Sequence, residues 1–337
     1  MTDSTGTTTS AAVSPATDGL TPEPRAPLAG APVSADASAA PPRPDRRLEP
    51  VGLALMILVH LGALAVFLVG ISPVAVLVAA LTYAVRMFGI TGWFHRYFSH
   101  RSFKTSRPVQ FLFALITTAS VQRGPLWWAA HHRDHHAHTD TEKDVHSPRH
   151  QGFWWSHMGW FIEPQNLQTR EERIQDFRRF PELRWLNDND LLVSVLFAVL
   201  LWCLGLVLNL VAPELGTSSW QMLVWGFFVS TTLLYHATYS VNSVCHVFGS
   251  RRFATDEDSR NNLLVALATF GEGWHNNHHA YPRSARQGFR WWEIDMTFYA
   301  LWAMQRLGLI WDLQPAPKPA QWTGLADDRP AARGAKR

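Results

Sequence analysis

Residues 74–94, VAVLVAALTYAVRMFGITGWF, run directly into His95-Arg96-Tyr97-Phe98-Ser99-His100. A helix needs about 20 mostly apolar residues to cross roughly 30 Å of hydrocarbon, and this run carries one charge, Arg86. An intramembrane arginine either serves a function or snorkels to the interface. The histidines follow where the helix would leave the bilayer. The stretch predicts an all-α integral membrane bundle with imidazoles at one end.

Three further runs, 51–71, 191–212 and 220–241, have spanning length and no formal charge. They predict a bundle of four transmembrane helices with a helical cap. Residues 109–121 are too short to span and read as a buried or interfacial helix. Four spans put 95–190 and 242–314 on one face. A fifth crossing at 109–121 would separate the histidines at 95–100 from those at 131–136. The connections 70–73 and 213–219 lack Lys and Arg, and every other Lys or Arg except Arg86 falls on the opposite side. This positive-inside pattern predicts a multi-pass protein of the cell membrane, with the large polar face, its histidines and both termini cytoplasmic. Residues 1–45 and 315–337 read as disordered tails, too poor in apolar surface to offset chain entropy. Residues 46–314 form the membrane domain.

The 337 residues include 16 histidines and 16 tryptophans, with a net charge of +3. That charge gives no support to nucleic acid as a partner. Two cysteines, Cys203 and Cys245, exclude a disulfide framework, a Cys-rich zinc site and an iron–sulfur cluster.

The histidines fall in groups: His95 and His100, then His131-His-Arg-Asp-His-His136, His275-Asn-Asn-His-His279, and His246 in Asn242-Ser-Val-Cys-His246. Residues four apart share a helix face. His132 with His136 can therefore ligate one metal, and His275 with His279 one metal. His135 and His278 lie beside those pairs and can reach a second metal. Imidazoles without thiolates suit zinc, copper, iron or nickel. Asp134, Asp140, Asp144 and Glu272 lie within reach to accept the second ring N–H of ligating histidines. His60, His150 and His236 read as hydrogen-bonded core or surface residues. His131, His138, His146 and His157 read as supporting or surface residues.

The HxxxxH, HxxHH and HxxHH pattern resembles the membrane fatty-acid desaturase family, closest to its stearoyl-CoA Δ9 branch. The resemblance runs from about Leu53 to Trp311. It includes Gly89-Ile-Thr-Gly-Trp-Phe-His95, Gly152-Phe-Trp-Trp-Ser-His-Met-Gly-Trp160, Asn242-Ser-Val-Cys-His-Val-Phe-Gly249 and Gly271-Glu-Gly-Trp-His-Asn-Asn-His-His-Ala-Tyr-Pro282. It implies two irons, with O2 as co-substrate. His95, His132, His136 and His278 would hold one iron, with Asn242 acting through a water. His100, His135, His246, His275 and His279 would hold the other.

The implied reaction places a cis double bond, at Δ9, in a saturated long-chain acyl group. Abstraction of unactivated hydrogens is cofactor chemistry. O2 takes four electrons, of which the substrate gives two. A separate donor, a ferredoxin or a flavoprotein reductase chain, must give the rest, because no fused cytochrome b5 signature or ferredoxin-like cysteine set is present. A membrane di-iron hydroxylase is the rival reading. The resemblance puts acyl-CoA first as substrate, with acyl-lipid and acyl-carrier protein as alternatives. The family's basic pair is replaced here by Glu163-Pro164-Gln165, and a basic residue before the second cluster by Ala130. Arg123, Arg170 and Arg173 are the substitutes for phosphate contact. Trp128 matches a tunnel-lining position. Tyr83, about three turns before His95, is a candidate for closing the tunnel, with walls from Trp127-Trp128 and Trp154-Trp155.

Overall fold

A computed structural model describes residues 47–326. The expected N-terminal tail, 1–45, lies outside the described residues. Helix α1 (Pro50–Val69) begins on Glu49, whose carboxylate accepts from the Val51 and Gly52 amides, and turns at Ala65. Proline at the first helical position has no N–H to leave unpaired. Helix α2 (Pro73–Ser99) starts on a Ser72 cap, and from Gly89 onward its turns are π-helical. Helices α3 (Arg107–Thr118) and α4 (Pro125–His138) follow, then α5 (Asp190–Val211). Residues 219–243 form one continuous helical run, α6, with a π-helical segment at Val224–Val229. After α6 come three short helices, α7 (Leu263–Ala268), α8 (His275–Ala280) and α9 (Met296–Arg306), and further short helical turns lie between α4 and α5. The two-residue strands β1 (Lys104–Thr105) and β2 (Ile310–Trp311) pair antiparallel.

Helices α1, α2 and α5 are each long and apolar enough to cross a membrane. Helix α6 has the length but not the same apolarity. Its polar residues are spent inside the bundle. Gln221 donates to the Val69 carbonyl, and Tyr235 donates to the Val121 carbonyl. His236 bridges His60 and His157 through its two ring nitrogens, at 3.1 and 3.0 Å. Interhelical hydrogen bonds of this kind join helices where apolar contact with lipid gives no preference. Arg86 does not snorkel. It is buried and donates to Ser230 Oγ, Thr231 Oγ1 and the Ala119 carbonyl.

Helix α3 has 12 residues, at about 1.5 Å each too short to cross, as expected. Its Phe113 stacks on Trp93 of α2 with centroids 4.3 Å apart. Trp93, Phe94, Phe98 and Phe103 are fully buried in the same apolar cluster. This packing fixes the end of α2 that carries His95.

The expected C-terminal tail from 315 needs correction. Residues 315–326 are described and fold back on the cap. Trp322 packs its ring against Phe253, and the Ala326 amide donates to the Arg252 carbonyl. The tryptophan supplies apolar surface, and the Ala254 amide donating to the Gly324 carbonyl ties the segment down further. Residues 327–337 lie outside the described residues.

Candidate metal centre

Four backbone elements deliver nine imidazoles to one place. The π-helical end of α2 supplies His95, and His100 follows it. Helix α4 supplies His132, His135 and His136. His246 stands just past α6, and α8 supplies His275, His278 and His279. Their nitrogens form two groups, each compact enough to hold a metal ion. His95, His100, His132, His136 and His278 make the first, and His135, His246, His275 and His279 the second. The i, i+4 pairs His132/His136 and His275/His279 each fall within one group, as their spacing requires.

His100 departs from expectation. The resemblance put it with the second group, but its Nε2 lies 2.8 Å from His132 Nε2 in the first. The π-helix is the cause. In an α-helix, residues five apart point roughly 140° from each other. A π-helix bonds i to i+5, and the His100 amide donates to the His95 carbonyl at 3.2 Å. The two rings therefore meet, with centroids 4.8 Å apart.

The outer nitrogens of three rings are held by carboxylates. His95 Nδ1 meets Glu272, His135 Nδ1 lies 3.0 Å from Asp144, and His246 Nδ1 lies 2.9 Å from Asp140. Such contacts place the proton on Nδ1 and turn the Nε2 lone pair inward. Burial would raise the carboxyls of Asp140 and Asp144, but His246 and His135 outweigh it and hold both below the usual carboxylate range. Burial drives His100, His132, His136, His275, His278 and His279 well below the ordinary histidine value, so these rings are neutral.

Neutral rings with inward lone pairs conflict with one another. His275 Nε2 faces both His246 and His279 Nε2 at 3.1 Å, and His278 Nε2 faces both His95 and His136 at 3.0 and 2.9 Å. One ring nitrogen carries at most one proton, which can satisfy one neighbour. A cation in each group resolves the crowding, so the residues fit a pair of metal ions.

Among the expected carboxylates, Asp134 reaches no grouped histidine. It pairs with Arg170 and Arg173, and lies 3.5 Å from His138. Asp134 precedes His135 on α4, and adjacent helix positions point about 100° apart. Sequence reasoning missed Arg96, Asp295 and Gln287. Arg96 is fully buried between Glu272 and Asp295, and Gln287 donates to Glu272. The one signal for Arg96 is its place beside His95.

A cavity of about 340 Å³ adjoins the imidazoles. His95, His132, His135, His275 and Asn242 line it, and so does Trp128, whose ring stacks on His132. Trp127, Trp160, Phe161, Leu55, Met56, Ile90, Tyr235 and Tyr239 make its wall mostly apolar. Tyr83 does not line it. The Tyr83 hydroxyl donates to the Ala268 carbonyl, and its ring meets Phe270. Trp154, a wall candidate by sequence, is exposed instead.

Residues 71–310 match the family model described as fatty acid desaturase. The chain belongs to the fatty acid desaturase family. This desaturase is 38% identical over 234 residues to an sn-2 palmitoyl-lipid 9-desaturase of Nostoc sp., which covers 68% of this chain and 77% of the relative. It is 35% identical over 271 residues to an icosanoyl-CoA 5-desaturase of Limnanthes douglasii, covering 79% and 72%. It is 38% identical over 262 residues to an sn-1 stearoyl-lipid 9-desaturase of Anabaena variabilis, covering 77% and 91%. The chain carries its imidazole groups beside an apolar cavity.

The Asp144–His135 contact yields a test. In this desaturase Asp144→Asn is expected to weaken metal retention by about 10- to 100-fold, the usual cost of losing a carboxylate behind a ligating histidine. Metal content after graded chelation, by elemental analysis, checks it. Retention equal to wild type would exclude a role for Asp144 in orienting His135.

Proposed function

We propose that this chain inserts a cis double bond, at Δ9, into a saturated long-chain acyl group, using two irons, O2 and electrons from a separate donor. The single observation that carries the reading is two imidazole groups meeting at the inner end of an apolar cavity. His95, His132, His136 and His278 would hold one iron, with His100 as their neighbour and Asn242 acting through a water. His135, His246, His275 and His279 would hold the other. Irons bound there would supply the oxidising chemistry needed to remove hydrogen from unactivated methylenes, with O2 as oxidant and the net electrons coming from the substrate and the separate donor.

The chain's own part is positioning. Glu272, Asp144 and Asp140 orient three ligands, while Trp128, Ile90 and Tyr239 wall the cavity against water. A narrow apolar site holds one carbon pair beside the metals and so selects the bond. We place α6 as a fourth span and the cap on the cytoplasmic side. The support is the length of α6 and the absence of Lys and Arg from 70–73 and 213–219.

Expression in a host deficient in its own desaturase tests the reaction. The expected product is an acyl chain lighter by two hydrogens, formed only with O2. A chain heavier by one oxygen would assign hydroxylation instead, and an unchanged lipid profile would overturn the reading. The names of relatives include both lipid-linked and CoA-linked substrates.

A further inference from the structure

We propose that Glu49, Arg123 and Asp190 form a charge filter at the outer end of the cavity. The filter admits the ester-linked acyl chain of a bilayer lipid without net negative charge and turns away acyl-CoA. This rests on the desaturase reading and names the carrier of its substrate.

The position comes first. The cavity's inner lining, His95, His135 and His275, is buried, whereas Glu49, Arg123 and Asp190 are each partly exposed. The exposed members of the lining are Val51 and Leu191, chain neighbours of Glu49 and Asp190, so the cavity opens at this end. Glu49 immediately precedes α1, and Asp190 is the first residue of α5. Both helices are apolar enough to cross a membrane. The opening thus lies at the level where hydrocarbon gives way to head groups, which is the level of a bilayer lipid's ester carbonyls. Leu191 and Val51 line it and are exposed, so an acyl chain meets apolar surface as it enters from the side.

Charge comes second. Arg123 is the one Lys or Arg among the described residues lining the cavity. Glu49 and Asp190 share that lining, so two carboxylates stand with one guanidinium at this end of the cavity. A helix N-terminus is a ready anion site, and two are present here. Both are taken by the chain's own carboxylates: Glu49 accepts from the Val51 and Gly52 amides, and Asp190 Oδ1 accepts from Leu191 at 2.8 Å. Arg170 and Arg173, the other cations expected to meet phosphates, are bound to Asp134 and do not line the cavity. Phosphate affinity depends on available cations, and the opening offers none in excess. Arg123 remains placed to donate to an uncharged ester carbonyl.

The test uses full-length protein in phosphatidylcholine nanodiscs, offered radiolabelled stearoyl-CoA, with binding to empty discs subtracted. Wild type is expected to show no saturable binding. Glu49→Gln/Asp190→Asn keeps one amide oxygen as acceptor at each position and removes both charges. It is expected to gain saturable binding. Saturable binding by wild type overturns the proposal. Absence of binding in both proteins overturns the assignment to these carboxylates. Because the readout is binding, it stands apart from alkene formation, which alone decides the desaturase reading.

Discussion

His135→Ala is expected to bring alkene formation below about a hundredth of wild type, because it opens one of the two metal groups. The second group has four imidazoles, and His135 is the one that Asp144 orients. Removing its ring leaves three nitrogens and strands Asp144, which is buried and ionised. Bound metal should fall from about two ions per chain toward about one, because the first group keeps all its imidazoles. His138→Ala is the control, since His138 sits in neither group and its ring lies by Asp134. Elemental analysis and product profiles on the same preparations check both. Full activity in His135→Ala would break the assignment of this ring as a ligand.

Arg96→Met is expected to cost about 3–5 kcal/mol, the range for removing one partner of a buried ion pair. Arg96 is fully buried, lies 3.0 Å from Glu272 and 2.9 Å from Asp295, and donates to the Ala285 carbonyl at 2.6 Å. Without it, two buried carboxylates lose their counter-ion. The loss spreads to the metal centre, because Glu272 also holds His95. Arg96→Lys should recover only part of the stability, as one ammonium cannot span the acceptors of a planar guanidinium. Thermal unfolding followed by fluorescence-detected size exclusion measures the order wild type, Lys, Met. Equal midpoints for all three would show that the network contributes nothing.

The sequence by itself determined which imidazoles gather and the helices that carry them. Apolar length marked α1, α2 and α5, because crossing hydrocarbon is a property of a contiguous run. Spacing four apart paired His132 with His136 and His275 with His279, because both pairs lie in single helices. Asp140, Asp144 and Glu272 were legible as partners from their nearness to the clusters.

Only the tertiary structure decided what depends on how elements meet. The π-helical end of α2 moved His100 into the first group, and no residue pattern announces a change of helical pitch. The direction of a side chain off α4 took Asp134 to Arg170 and Arg173. Helix α6 reads as apolar in outline, yet its polar residues find partners on α1, α2 and the chain after α3. Arg96, Asp295 and the cavity's charged opening arise from segments far apart in the chain. Sequence records which groups are present and their local period, whereas packing alone sets which of them share a dry space.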